Sequence, residues 1–436
     1  MAEAEAATPG SAAAPRPAGS GLAESSRARR ALGLAGLAGL IATAVPLVAP
    51  GPGLVPAAGA EAPGWLLGVY GDGFGIGPGG YYALLWGSFA AYLCVLAAAP
   101  AIGRRTLLAA AVALIVAFAL SPPLLSQDVF SYVAYARLGV VHGLNPYTHA
   151  PLDAVADPSF SHVGWAESTS SYGPLFTLAT YPLAQLSVPA AMWTLKAVAA
   201  GSVLALGLVA ARLAPARGID PGRCFAIVAL NPLVLVHVVG GAHNDATVML
   251  VALAGCAAVI ALRERSGGAA VLAGIGLKLS AAFVLPFALL GSVRRDRFLA
   301  GAVAAAIAIA AAGLAAFGAH ALDSAELVGE NQGRVSNYSI PNLLSELLNV
   351  GIGPIRALAA VTLAVLIVLL CLRVIHGGDW IRASGWAALG LLLASAWLLP
   401  WYLIWALPFA ALSRDRLLIA SVLALTALQL AARIPL

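Results

Sequence analysis

The feature that most constrains this chain is a succession of apolar runs, each long enough to cross a bilayer as a helix. Residues 31–48, 82–98, 107–120, 190–211, 298–317 and 355–374 approach the ~20 residues that a helix needs to span the hydrocarbon core. Between them there is too little charge to coat a water-facing surface. Only 10% of the 436 residues are charged and 61% are hydrophobic, where soluble domains carry roughly 25% charged residues. Spanning strands would be shorter and would alternate in polarity. The runs do neither, so the expected fold class is an all-α polytopic membrane protein.

The basic residues report orientation rather than a nucleic-acid partner. The formal net charge is +5, yet Arg27, Arg29, Arg30, Arg104, Arg105, Arg212, Arg217, Arg263, Arg265, Arg294, Arg295 and Arg297 sit in short links between apolar runs. Cytoplasmic loops collect such residues. Asp128, Asp153, Asp157 and Glu167 fall in the other loops, as do Asp323, Glu326 and Glu330. The charge rule therefore predicts a multi-pass protein of the plasma membrane with a cytoplasmic N-terminus. Residues 1–30, rich in Ala, Pro, Gly and Ser, read as a disordered cytoplasmic tail. Residues 31–436 read as one membrane unit, with the long loop 122–189 external. Basic clusters flank both ends of 269–292, which predicts a broken hairpin that enters and leaves on one side. The expected count is about 11 full spans plus that hairpin, or about 13 if it crosses twice. The four cysteines lie in or beside apolar runs and suit packing rather than a disulfide framework.

Within the external loop, residues 128–143 have the spacing of a short amphipathic helix at the interface, and 172–186 that of a short juxtamembrane helix. Asp128 follows an apolar run directly, in SPPLLSQDVFSY. A carboxylate at that depth is costly unless it is used or paired. It is placed to take a proton from an acceptor hydroxyl, although Asp also suits a helix N-cap. Tyr132 and Arg137 follow on the same helix, Arg137 about two and a half turns on. Asn145, Tyr147, Trp165, Glu167 and Tyr172 are residue types that cover sugar faces or bond sugar hydroxyls, and NPY and YGP are also ordinary turn formers. In GGAHNDA, His243, Asn244 and Asp245 suit a phosphate, a sugar or the support of Asp128. They equally suit a turn that caps the next helix. They lack a metal-ligand spacing such as His-x-x-x-His, so no cofactor is expected and a divalent cation is left open.

Lys278, one of two lysines, lies inside the apolar hairpin, where a cation attracts a lipid phosphate or a carboxylate or snorkels to the surface. Arg334 suits a phosphate, or an ion pair with Glu326 or Glu330. Trp401, Tyr402 and Trp405 in LPWYLIW read as interfacial belt anchors.

The segments QDVFSYVAYARLGVVHGLNPYTHAP, SSYGPLF, NPLVLVHVVGGAHNDA, GLKLSAAFVLPF and LPWYLIWALP, taken in order, resemble the actinobacterial polyprenol-phosphate-mannose-dependent α-1,6-mannosyltransferases. These are multi-spanning enzymes of the GT-C class. The likeness runs from about residue 80 onward, as far as sequence spacing carries it. It implies a GT-C-like bundle with a catalytic acid just after a span in an early external loop, the position of Asp128. Here the acid follows the third apolar run, whereas many members of the wider class carry it after the first. The resemblance also implies a polyprenyl-phosphate mannose donor, an α-1,6-mannan (lipomannan-type) acceptor, membrane lipid as surroundings and no nucleic acid. It implies an inverting in-line displacement, with Asp128 as base and Arg334 or Arg137 beside the leaving phosphate. The competing readings are a polytopic lipid or sugar transporter, which often shows repeated halves, and a sister enzyme with a lipid-linked arabinofuranose donor.

Overall fold

The computed structural model describes residues 18–55, 63–322, 329 and 333–432. All regular structure among them is helical. Five helices are long and apolar enough to cross a membrane: Ser26–Val48, Pro78–Ala101, Val188–Leu213, Arg295–Ala321 and Ile352–Ile375. A sixth is added if Pro221–Ala229 and Val234–Gly240, bent by 59°, form one span. Asp245–Ile260, Leu279–Gly291, Trp380–Ala394 and Arg416–Ala432 are apolar but shorter. The chain is an all-α polytopic membrane protein.

Fewer helices reach full spanning length than the apolar runs imply, because apolar length is not helical length. Pro232 follows Asn231 at the bend after Pro221–Ala229, Lys278 takes an extended backbone, and Pro400 opens a 3-10 turn. Proline removes an intrahelical hydrogen bond, and each break is tolerated where protein rather than lipid surrounds it.

The helices that position the site are α1 (Ala18–Val48), α2 (Pro78–Ala98), α3 (Arg104–Ala119), α4 (Asp128–Val140), α5 (Pro174–Thr180), α6 (Val188–Leu213) and α7 (Pro221–Ala229). A π-helix, Val234–Gly240, links α7 to α8 (Asp245–Ile260). Then come α9 (Glu264–Leu277), α10 (Val284–Gly291), α11 (Arg295–Phe317), α12 (Ile340–Leu348), α13 (Ile352–Ile375), α14 (Trp380–Ala394), α15 (Leu407–Ala411) and α16 (Arg416–Ala432). Helix α1 begins inside the stretch that composition marks as a disordered tail. Its Ala, Leu, Glu and Arg residues are strong helix formers and lead straight into the apolar run. Residues 1–17 lie outside the described ones.

Helix α4 does not lie on the surface. Val129 to Ala136 and Leu138 are all buried, so both faces are covered by protein, and its apparent amphipathy reflects polar partners inside the bundle. The expected broken hairpin is present: α9 ends at Leu277, Lys278 is extended (φ −156°, ψ 127°), and the chain resumes in a 3-10 turn and α10. Its two ends meet, since the Arg294 backbone N–H donates to Glu264 Oε1 at 3.4 Å.

Two turns in the core carry backbone strain. Leu125, three residues before Asp128, has φ +57°, and Ala242, just before His243, has φ +58°. A non-glycine residue held there costs on the order of 1–3 kcal/mol and persists only where its surroundings over-determine it.

Small residues set the closest helix approach. Gly268 of α9 faces the Phe298 carbonyl of α11, and Gly301 of α11 faces the Arg265 carbonyl of α9. A Cβ at either position would overlap backbone, which cannot swing aside. Gly268→Val or Gly301→Val is expected to lower stability by about 1–3 kcal/mol, read as an earlier unfolding midpoint in detergent or nanodiscs, while Gly53→Ala, which faces open space, leaves the midpoint unchanged.

Candidate active site

Asp128 is the first residue of α4, and its carboxylate turns inward. Gln127 occupies the N-cap position and makes no side-chain capping bond to the helix, and Asp128 is the helix's first residue rather than its cap. Its Oδ1 accepts from Trp165 Nε1 at 3.0 Å, and His243 Nδ1 lies 3.5 Å from Oδ2. The backbone N–H of Asp128 donates to Ser126 Oγ. Burial pushes the carboxyl above its ordinary range, and nearby Asp245 adds to the rise, while the Trp165 bond and Lys278 oppose it. Desolvation outweighing partners is the usual origin of a carboxylate matched to proton transfer.

The HNDA turn supplies the facing wall. His243 is fully buried and stacks on Trp401, with ring centroids 3.6 Å apart and planes 15° apart. Asp245 is fully buried and receives Lys278 Nζ at 2.8 and 3.0 Å and Trp405 Nε1 at 2.7 Å. The break after α9 is what delivers Lys278 there, so the lysine pairs with a carboxylate in the interior instead of snorkelling. Its ammonium lies 5.0 Å from the Tyr402 ring centre, 5.8 Å from Trp405 and 6.0 Å from Tyr172, a cation–π enclosure. Tyr172 meets Tyr132 edge to face at 4.9 Å, which brings α4 against the same cluster. The Arg334 guanidinium stacks over Trp165 at 4.7 Å. Trp165 therefore joins that arginine to Asp128. Asn244 is buried, and neither polar atom of its side chain has a partner among the described residues. Such a group is an expensive feature unless a ligand completes it.

Beside this cluster opens a cavity of about 860 Å³. Lys278, Tyr402, Trp405, Trp397, Ser171 and Arg356 line it together with apolar residues of α10, α13 and α14. Helix α13 turns most of its surface outward, to where lipid would lie. An inward carboxylate, a partly enclosed cation and a largely apolar cavity thus lie close together, Trp165 bonding Asp128 and packing against Trp397 of the cavity wall.

Three sequence candidates are elsewhere. Arg137 lies two and a half turns along α4 and donates through Nε to both oxygens of Asp157, at 2.9 and 3.0 Å. Its Nη1 reaches the Ala184 carbonyl. Burial pushes the Asp157 carboxyl up, but Arg137, His142 and Ser159 outweigh it and hold the group well below the usual range. Arg137 is committed to that pair and does not face the cavity. Asn145 closes its own turn, accepting from the Tyr147 N–H and donating to the Phe317 carbonyl. The Tyr147 hydroxyl donates to the Tyr172 carbonyl and meets Thr177. These two pin the loop rather than present groups to a ligand.

Trp401 and Trp405 are buried, so the LPWYLIW segment is site wall and not a belt. Glu326 and Glu330, weighed as partners of Arg334, lie outside the described residues. Arg356 and the aromatic wall are what sequence reading missed: an arginine opening an apolar helix reads as topology. Among the described residues no group of three or more His, Cys, Asp or Glu is placed to hold a metal, and the four cysteines are free.

Removing one partner of a buried ion pair strands the other's charge, at about 3–5 kcal/mol. Lys278→Met is therefore expected to destabilise strongly, and adding Asp245→Asn to restore most of the loss, as thermal unfolding of the two variants would read.

The comparisons with known proteins converge on one family. The description "Alpha-(1->6)-mannopyranosyltransferase, N-terminal domain" matches residues 30–295, and "Glycosyltransferase family 87" matches residues 171–432. An alpha-(1->6)-mannopyranosyltransferase A of Mycobacterium tuberculosis is 32% identical over 174 residues, covering 38% of this chain and 33% of that protein. The protein of that name from Corynebacterium glutamicum is 29% identical over 196 residues, 42% of this chain and 37% of its own length. An alpha-(1->6)-mannopyranosyltransferase B of the latter organism is 26% identical over 139 residues, 30% and 23% of the two chains. The matched segment thus spans little more than a third of these relatives at most. No solved structure matches the chain significantly.

Proposed function

The chain belongs to the alpha-(1->6)-mannopyranosyltransferase family, and we propose that it transfers mannose from a polyprenyl-phosphate donor to a growing α-1,6-mannan on the outer face of the plasma membrane. The observation that carries this reading is an inward carboxylate, Asp128, whose partner Trp165 packs against Trp397 in the wall of an apolar cavity that Lys278 and Arg356 also line. A nucleotide sugar has no use for an apolar trough opening toward lipid. A prenyl chain does, and its phosphate is matched by cations at the wall.

The chemistry is one displacement. The acceptor 6-hydroxyl oxygen attacks the anomeric carbon of a β-mannosyl phosphate, its proton passes to Asp128, and the bond from that carbon to the phosphate oxygen breaks with inversion, giving an α-linkage. The polyprenyl phosphate leaves with the electron pair, its charge steadied by Lys278, Arg356 and Arg334. Trp165 and His243 hold the base, and Tyr132, Tyr172 and Asn244 complete the sugar's surroundings. No cofactor is called for, and transfer is expected to survive EDTA. The N-terminus is cytoplasmic in this reading and the loop carrying Asp128 external.

The test uses the protein in proteoliposomes with radiolabelled polyprenyl-phosphate mannose and a short α-1,6-mannoside. An α-1,6-extended product is expected from this donor and none from a nucleotide-linked mannose. Transfer only from polyprenyl-phosphate arabinofuranose would replace the donor sugar, and substrate movement without any product would favour a transporter. Arg356→Ala is expected to raise the donor KM about tenfold, equivalent to ~1.4 kcal/mol, with kcat little changed. Because the base must be ionised and burial raises its pKa, kcat/KM should fall with decreasing pH at a midpoint above the ~3.9 of an ordinary aspartate; a pH–rate profile flat to pH 4 would contradict this.

A further inference from the structure

The second lysine is the most enclosed charged residue outside the reaction cluster. Lys196 lies in the middle of α6, is fully buried, and pairs with no carboxylate among the described residues. Its Nζ lies 5.9 Å from the Trp193 ring centre and faces oxygens at the start of the α3–α4 turn and at the end of the π-helix. It donates to the Gly240 carbonyl at 2.6 Å, and the Val239 and Pro122 carbonyls and Ser121 Oγ stand at 3.5, 3.4 and 3.5 Å.

One turn leads from α3 to Asp128 through strained Leu125, and the other leads from the π-helix to His243 through strained Ala242. Besides the lysine, a backbone bond joins them, Leu124 N–H to the Gly240 carbonyl at 3.1 Å. Burying an ammonium without a counter-ion is costly unless it meets a need, and two left-handed non-glycine residues need their surroundings to hold them.

We propose that Lys196 is a positioning residue for the Asp128 base: it draws the two turns together and so fixes the Asp128 carboxylate against His243. The inference rests on the reading of Asp128 as base. It assigns a role to a residue that touches neither the sugar nor the phosphate.

The test is a double-mutant cycle on the full chain in proteoliposomes, with Lys196→Met, Lys196→Ala, Asp128→Asn and the two double variants. A misplaced base costs rate rather than affinity, so Lys196→Met should lower kcat about 10²-fold with the donor KM within twofold of the parent. Ethylammonium should restore part of the rate to Lys196→Ala by refilling the oxygen ring. In the Asp128→Asn background the Lys196 substitutions should cost little more, because the group they displace is already gone.

Undiminished kcat in Lys196→Met would overturn the proposal. So would full additivity with Asp128→Asn, or a parallel loss of donor binding in both lysine variants without amine rescue, which marks a scaffold defect. Full activity of Asp128→Asn alone would remove the base itself, and the positioning role with it. The base reading stands and only the positioning role fails where Asp128→Asn is strongly slowed but still measurable and the cycle is additive.

Discussion

The arrangement depends on one buried ion pair, Lys278 with Asp245. Asp245 has no exposure, and the lysine reaches it only because helix α9 stops at Leu277 and the chain turns through an extended residue. Inside a bundle the charges cannot be left to water, so the pair fixes α8, the tip of the α9–α10 hairpin and the Pro400–Trp405 turn, whose Trp405 adds a third bond to Asp245. That geometry leaves one face of the ammonium toward the cavity while aromatic rings crowd the rest. A cation held in a low-dielectric wall acts on a phosphate more strongly than one in solvent, provided the protein has already met the cost of placing it. Asp128 is linked to the same aromatic wall, through His243 stacked on Trp401 beside Tyr402, over whose ring the lysine lies.

The two halves of the site come from distant parts of the chain, and strain marks both junctions. Leu125, three residues before Asp128, and Ala242, directly before His243, adopt left-handed backbone conformations, where a relaxed turn would aim both side chains elsewhere. Polar contacts such as Arg137 with Asp157 and Tyr147 with Tyr172 and Thr177 hold the stretch 141–173 down onto α4 and α5.

Much of this was legible in the sequence. Apolar runs gave the class, the flanking arginines gave the hairpin whose ends meet at Glu264 and Arg294, and the place of Asp128 directly after an apolar run singled it out, with the family resemblance in agreement. What stayed hidden was partnership. Arg137 has the spacing of a residue that could reach the phosphate, but Asp157, twenty residues on, claims it. Trp401 and Trp405 have belt composition, yet a proline-opened 3-10 turn carries them inward. Hydropathy alone does not register the bend at Pro232, which divides one apolar stretch into two helices. Arg356 carries no sequence signal of its own; its place in α13 against the cavity is what brings it to the site.

The central claim is that Asp128 serves chemistry and not donor binding. Single-turnover transfer and equilibrium binding of radiolabelled polyprenyl-phosphate mannose, measured side by side on parent and Asp128→Asn protein at equal amounts in proteoliposomes, separate the two. Equal donor affinity with transfer reduced by a factor on the order of 10²–10⁴, the usual contribution of a positioned base, is the expected result. Undiminished transfer in the variant, or donor affinity lost together with transfer, would contradict it.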